Sequence, residues 1–426
     1  MASPRRRSRL HLPPLLRETA FRRYWSGATV SLFGDQVSQL AVPLAAVRVL
    51  HASAPQMGML TAALLLPYLA FSVHLGALVD RRGNRRRLMI AADIGRAILL
   101  VSIPAAFAAG RLSMPLLYVV GFLMGTLTLL FSMANSTLFT CLVPEDRYVD
   151  ANSLLHGSRA VAGFAGPGIA GLLVQAISAP FAVLADALSY VGSATALLRI
   201  SPTEPPPAPQ ARGFAAAGMR FLWRGGPLRS AMLAVATINL FNFIFNALLV
   251  LYASRALRIG PAMLGLAFSA GAVGTIAGAL AAARIGRRVG LGFTLLLGCI
   301  LFPAPLLLVP IAGGGGIAPV LLLFLALVGS GFGVMLLDIS FGSLFTALVS
   351  DAVRARVNGA FSLVNYGIRP IGALLGGLLP GLIGLHSTMW VATSGALLGF
   401  LWLLPSPILR IRTLGEGATE RAAGAL

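Results

Sequence analysis

Apolar runs long enough to cross a bilayer recur twelve times along this chain, more than a soluble fold can bury. A membrane helix needs about 20 mainly apolar residues. Runs of that kind fall at 24–47, 56–79, 88–109, 115–140, 152–177, 179–199, 230–253, 261–284, 290–311, 317–346, 357–384 and 386–405. Two divisions rest on single short turns, Ser178-Ala179-Pro180 and Leu385-His386. Charged residues are only 11% of the chain against 57% hydrophobic, where ordinary globular domains carry roughly 25% charged. Lipid is the solvent that tolerates this balance, provided every backbone group is satisfied within its own helix. The predicted fold class is therefore all-α integral membrane, with twelve transmembrane helices.

All 33 basic residues are arginine, and the net charge is +20. Their placement supplies an orientation. Odd-numbered spans begin, and even-numbered spans end, beside clusters such as Arg5–Arg9, Arg22-Arg23, Arg81–Arg87, Arg284–Arg288 and Arg354–Arg356. The other side holds only Arg48, Arg111, Arg255 and Arg258, while Arg96, Arg159 and Arg369 fall inside spans. A missed or invented span would reverse this asymmetry halfway along the chain. The positive-inside rule thus predicts an even span count, with both termini cytoplasmic. Nucleic-acid binding is not expected, because no loop is long enough to carry a basic module. The start, MASPRRRSRLHLPP, is charged but lacks the short apolar stretch and cleavage site of a signal peptide, so it reads as a tail. Cys141 and Cys299 lie in different halves, which argues against a disulfide framework or a cysteine metal site. No metal site is expected.

The longest hydrophilic interval separates the sixth and seventh runs. The sequence divides into a tail at 1–23, a six-helix bundle at 24–200, a linker at 201–229, a second bundle at 230–405 and a tail at 406–426. Ser201–Pro209 reads as an extended polyproline segment. Gly213–Arg224, with Phe221 and Trp223 between arginines, reads as a short interfacial helix. The halves echo each other at one offset: Gly83 with Arg85 and Arg86 matches Gly286 with Arg287 and Arg288, and Pro167 matches Pro370. Parallel repeats of this kind place a substrate site between the halves near the midplane, which gives two pseudo-symmetric six-helix bundles.

The loop after the second run reads Gly76-Ala-Leu-Val-Asp80-Arg81-Arg82-Gly83-Asn84-Arg85-Arg86-Arg87-Leu88. It resembles the signature loop of the major facilitator superfamily, with Gly76, Asp80, Arg81, Gly83, Arg85 and Arg86 in the defining positions. The resemblance implies a gating role for this loop. In physical terms, Gly76 permits close helix approach, Gly83 a tight turn, and Asp80 can face an arginine or a helix N-terminus. Ser31–Gln36, Val143–Arg147, Ala151–Ser153, Leu184–Tyr190 and Gly218–Arg224 are similar to the branch that holds bacterial macrolide exporters and the enterobactin exporter. That likeness implies proton-driven export and leaves the cargo open. Gly166-Pro167-Gly168-Ile169-Ala170-Gly171 is similar to the antiporter motif of the fifth span, with Ala170 where the motif has glycine. Pro167 removes a helix hydrogen bond and predicts a bend.

Ionisable residues inside a membrane are costly and so point to function. Asp35, Asp186 and Asp338 are the proton-coupling candidates. Asp93 and Arg96 are three apart near the start of the third run and predict a charge pair, with each other or with the signature loop. Gln39, Arg159, Asn239, Asn242, Asn246, Asn365 and Arg369 are the candidate cavity residues. Asn239, Asn242 and Asn246 share one helical face; interhelical packing is their alternative role. Arg159 and Arg369 have no local acid, and can neutralise Asp35 or Asp338 or bind an anionic substrate. HExxH, GxSxG and GxxxxGK[ST] are all absent, so neither an enzyme nor an ATP-driven pump is expected.

These features predict a secondary transporter in a bacterial plasma membrane, exporting a bulky amphipathic small molecule such as a macrolide-like drug or siderophore. It would act as a monomer, with the proton gradient in place of any cofactor. Import or facilitated diffusion without proton coupling is the alternative; a receptor role is a further one.

Overall fold

The computed structural model describes residues 14–202, 204, 220, 223, 226–349 and 351–411, without the side chains of residues 73, 77, 80, 82, 351, 352, 355 and 356. The polyproline segment beyond Glu204 and most of the expected interfacial helix lie outside the described residues. Long helices account for the chain, and the described residues contain no strand. They are α1 (Thr19–Arg48), α2 (Ala54–Arg82), α3 (Arg85–Ala108), α4 (Met114–Leu142), α5 (Tyr148–Ile177) and α6 (Ala179–Leu198) in the first half. The second half holds α7 (Gly226–Arg255), α8 (Pro261–Val289), α9 (Leu291–Leu301), α10 (Ile317–Leu348), α11 (Asp351–Ile383) and α12 (Leu385–Leu397). α9 continues through turns at Ala304–Leu307 and Leu308–Ile311.

Eleven of these segments are long and apolar enough to span a membrane as they stand. The twelfth is broken: α12 has 13 residues and runs on as a six-residue 3-10 helix, Leu398–Leu403. At about 1.5 Å per α residue and about 2.0 Å per 3-10 residue, the pair covers roughly 30 Å, the thickness of the hydrocarbon core. The two divisions that the sequence marked only weakly fall where the backbone turns to positive φ, at Ser178 (74°) and Gly384 (82°).

The signature loop is compact. Gly83 (φ 56°) and Asn84 (φ 46°) reverse the chain between α2 and α3, and Gly83 is the residue type that takes such a backbone without strain. Two sequence readings need correction. Gly76 makes no close helix contact: the nearest group to a Cβ placed there is Met133 Sδ at 3.9 Å. Gly286, the offset partner of Gly83, is helical, and the corresponding turn comes at Gly290 (φ 91°). The second half therefore lacks the tight Gly-Asn reversal of the first.

The core is divided unequally. Toward the face where α1 begins and α12 ends, here the terminal face, the halves keep separate cores. One gathers Phe21, Tyr24, Met89, Leu138 and Leu197; another gathers Ala231, Ile238, Leu295, Leu337 and Leu403. Toward the opposite, distal face a single core joins the halves, with Leu44, Met57, Leu100 and Val183 beside Leu248, Leu264, Val309 and Met389. The halves meet through α2 against α11 and α5 against α8. Glycines set the closeness: a Cβ on Gly58 would stand 2.6 Å from both the Ala373 carbonyl oxygen and Gly377 Cα. A Cβ on Gly171 would collide with the Pro261 carbonyl, and one on Gly265 with that of Pro167. The Gly168 amide donates to Ser269 Oγ at 2.9 Å across the same seam.

Candidate functional site

Between the halves lies a cavity of about 920 Å³, lined from both. The shared core closes it at the distal face, and the halves part toward the terminal face. Its walls are mostly apolar, with Leu60, Leu64, Met124, Phe245, Phe268 and Leu327 among the lining residues. The charged, amide and phenolic groups are placed on particular helices: Asp35, Gln36 and Gln39 on α1, Tyr68 on α2, Asp186 and Tyr190 on α6, Asn242 and Asn246 on α7, and Tyr366 and Arg369 on α11. A large apolar pocket with a few convergent polar groups is the usual form of a small-molecule site.

The wall of the first half carries a buried acidic network. Tyr190 Oη donates to Asp35 Oδ1 at 2.6 Å, linking α6 to α1. Ser189 Oγ donates to Asp186 Oδ1 at 3.0 Å, and Ser38 of α1 lies alongside. α1 reaches α6 because Gly34 has no side chain; a Cβ there would collide with Ser189 Oγ and Asp186 Oδ1. Behind these stands Arg96 of α3, paired with Asp93 one turn away. The Arg96 guanidinium lies 4.2 Å from the centre of the Tyr190 ring and 4.5 Å from that of Phe131. Both members of the pair are fully buried. They sit about 12 Å or more along α3 from its start, deeper than the sequence reading placed them. Three carboxyl groups thus share one arginine, and Asp186 Oδ2 and Asp93 Oδ2 are buried with no hydrogen-bond partner.

The second half supplies a different wall. Arg369 lies 4.4 Å from the Tyr366 ring centre and 5.2 Å from that of Phe243. Among the described residues its one hydrogen bond is a long one to Asn365 Oδ1, 3.4 Å. The same oxygen accepts from Asn239 Nδ2 at 2.9 Å, so Asn239 and Asn365 tie α7 to α11 behind the cavity rather than lining it. Tyr366 stacks on Tyr68 of α2 across the halves, with ring centres 5.7 Å apart.

The candidate residues are therefore split. Asp35, Asp186, Gln39, Asn242, Asn246 and Arg369 share the cavity. Asp338 does not line it; it opens onto a separate recess on α10 with Gly342, Ser343 and Thr346. Arg159 is exposed on α5 and neighbours Tyr24, not Asp35. Gly166 packs on Gln36 of α1, where its Cβ would stand 2.6 Å from Gln36 Cγ, while Pro167 and Gly171 belong to the seam with α8. The side chain of Asp80 is outside the described residues, and Arg81 is exposed. Arg86 donates to the carbonyls of Leu197 at 2.8 Å and Leu198 at 2.7 Å, binding α3 to the end of α6. Four participants were not singled out by sequence reasoning: Tyr190, Tyr68, Tyr366 and the linker residue Glu204. Glu204 accepts from the amides of Arg85 and Arg86 and so caps α3. Only an acidic residue amid prolines, just beyond the sixth run, could have signalled it.

A bundle of two six-helix halves around a central cavity is an architecture of membrane transporters rather than of enzymes. The profile of the Major Facilitator Superfamily matches residues 24–369, and the chain belongs to that family. The multidrug efflux pump Tap of Mycobacterium tuberculosis is 26% identical over 380 residues, 83% of this chain and 85% of Tap. Among solved structures, a bacterial homologue of the iron transporter ferroportin in its inward-facing state is 18% identical, with a TM-score of 0.74 over 92% of this chain and 99% of that one. A structure of such a homologue in the outward-facing state with soaked iron gives 0.57, at 18% identity over 90% and 98% of the two chains.

Proposed function

We propose that this transporter exports a bulky amphipathic small molecule across a bacterial plasma membrane in exchange for protons. The observation that carries the reading is the acidic network on the cavity wall, where Asp35 and Asp186 stand within the field of the buried Asp93–Arg96 pair and acids outnumber the cation among the described residues. In a low-dielectric interior one cation offsets one carboxylate, and a second or third bare charge is costly. Protons that bind and leave resolve that imbalance; Asp35 and Asp186 face both the network and the cavity, and Asp35 is the one that Tyr190 ties to the neighbouring helix. The efflux activity in the name of the Tap relative supports the direction, and the size and apolar lining of the cavity support a bulky cargo.

The arginine-rich terminal face is the cytoplasmic one by the positive-inside rule. The cavity then opens to the cytoplasm, where cargo enters and the acids release protons. Closure of the terminal face and parting of the glycine seam expose the cavity outside. There the acids take up protons as cargo departs. The gradient thus acts as the energy source, because the reorientation alternates which side the same carboxyl faces.

The test is Asp35→Asn in everted membrane vesicles with an imposed pH gradient. Gradient-driven efflux is expected to fall to background while the protein stays inserted and monodisperse after extraction. Full gradient-driven activity in that variant would sink the assignment and favour facilitated diffusion.

A further inference from the structure

The two cavity walls carry opposite surplus charge, and among the described residues the second half's arginine has no carboxylate in ion-pair contact. Arg369, half-buried, has no carboxylate within ion-pair distance among the described residues, whereas the buried Arg96 is paired with Asp93. Arg369 Nε is buried and makes no hydrogen bond. Asp338 contributes its field from α10 but stands apart. A guanidinium held in place by flanking rings, with one long hydrogen bond to Asn365 on its fork, suits a planar carboxylate that can engage two N–H groups at once. Across the same cavity, Asp35 and Asp186 stand on the wall where acids outnumber the cation.

We infer that the cargo is an amphoteric flat aromatic molecule whose carboxylate docks on Arg369 while its cationic end faces Asp35. The inference rests on the export reading above and deepens it. The Tyr68–Tyr366 stack, Phe245 and Phe268, all on the cavity wall, supply aromatic surface against which a fused-ring body lies. The cationic end is the part that exchanges with protons at Asp35, so loading cargo and releasing protons become one event. The carboxylate satisfies Arg369 and leaves the protons out of its account. A purely cationic amphiphile leaves Arg369 unmatched, and a purely anionic one meets repulsion at the acidic wall.

Three dyes on one tricyclic frame test this: a rhodamine with a free benzoate, the methyl ester of that rhodamine, and fluorescein, which keeps the acid but lacks the cationic end. Binding to the full chain in nanodiscs is read by fluorescence anisotropy. The free-acid rhodamine is expected to bind about tenfold more tightly than its ester, the scale of one charged hydrogen-bonded contact. Arg369→Gln is expected to erase that difference and leave the ester's affinity as it was; Asp338→Asn is expected to keep the preference. The free-acid rhodamine is also expected to exceed fluorescein, and Asp35→Asn to remove that margin. Equal binding of acid and ester by the unaltered protein, or equal loss of both in Arg369→Gln, overturns the role of Arg369. Loss of the preference in Asp338→Asn also overturns it, since Arg369 would then act through Asp338. Fluorescein binding as tightly as the free-acid rhodamine overturns the amphoteric character. Failure of all three dyes to bind a monodisperse protein overturns the amphiphile reading itself.

Discussion

Tyr190 Oη donates to Asp35 Oδ1 at 2.6 Å, joining two helices whose residues are 155 positions apart. A hydrogen bond to a charged group contributes about 1.5–3 kcal/mol. Tyr190→Phe removes the donor and keeps the ring under Arg96. Gradient-driven efflux is expected to fall roughly tenfold or more, with the thermal midpoint in detergent little changed. Unaltered transport would show that the Asp35 carboxyl works without this partner.

Gly34 lets the acidic network assemble, because α1 and α6 touch where its side chain would be. Gly34→Ala is expected to destabilise the folded protein by about 1–3 kcal/mol, the usual cost of overpacking. Since Ser189 Oγ is one of the colliding atoms, Ser189→Ala in the same chain should recover part of that loss. The check is thermal unfolding of the single and double variants in detergent.

The distal seam is closed by glycines on both sides. Gly58→Val cannot keep its approach to Ala373 and Gly377. The expected result is a shift toward the distal-open state. Gln39→Cys, on a background with Cys141 and Cys299 replaced by serine, should then react faster with a membrane-impermeant thiol reagent added from the distal side. Unchanged labelling would mean that the seam yields without changing which face is open.

Glu204 caps α3 from outside its helix, accepting the Arg86 amide at 3.0 Å. Losing a helix cap typically costs about 1 kcal/mol. Glu204→Ala should therefore loosen the start of α3 and speed trypsin cleavage at Arg85–Arg87 in everted vesicles. Glu204→Gln keeps an acceptor oxygen and should fall between the two. Equal cleavage in all three proteins would rule out the cap as a restraint on the signature loop.

The sequence by itself determined the spans, the family and some local geometry. Gly83 turns the chain as its residue type predicts, and Asp93 pairs with Arg96 as three-residue helical spacing allows. The tertiary structure alone decided which intramembrane charges meet. Nothing in one sequence brings Asp35 to Tyr190, leaves Arg369 with no acid in ion-pair contact among the described residues, or gives Asp338 a recess of its own. In a soluble helix the apolar stripe reveals the inward face. Here lipid and core are both apolar, so the rotation of each helix about its axis leaves little trace in the pattern of hydrophobicity. The glycines behave the same way: Gly76 and Gly58 look alike in sequence, yet only Gly58 lies where another backbone arrives. Which helix neighbours which is a property of the packed bundle, and it is that packing which set the acids against one wall of the cavity and Arg369 against the other.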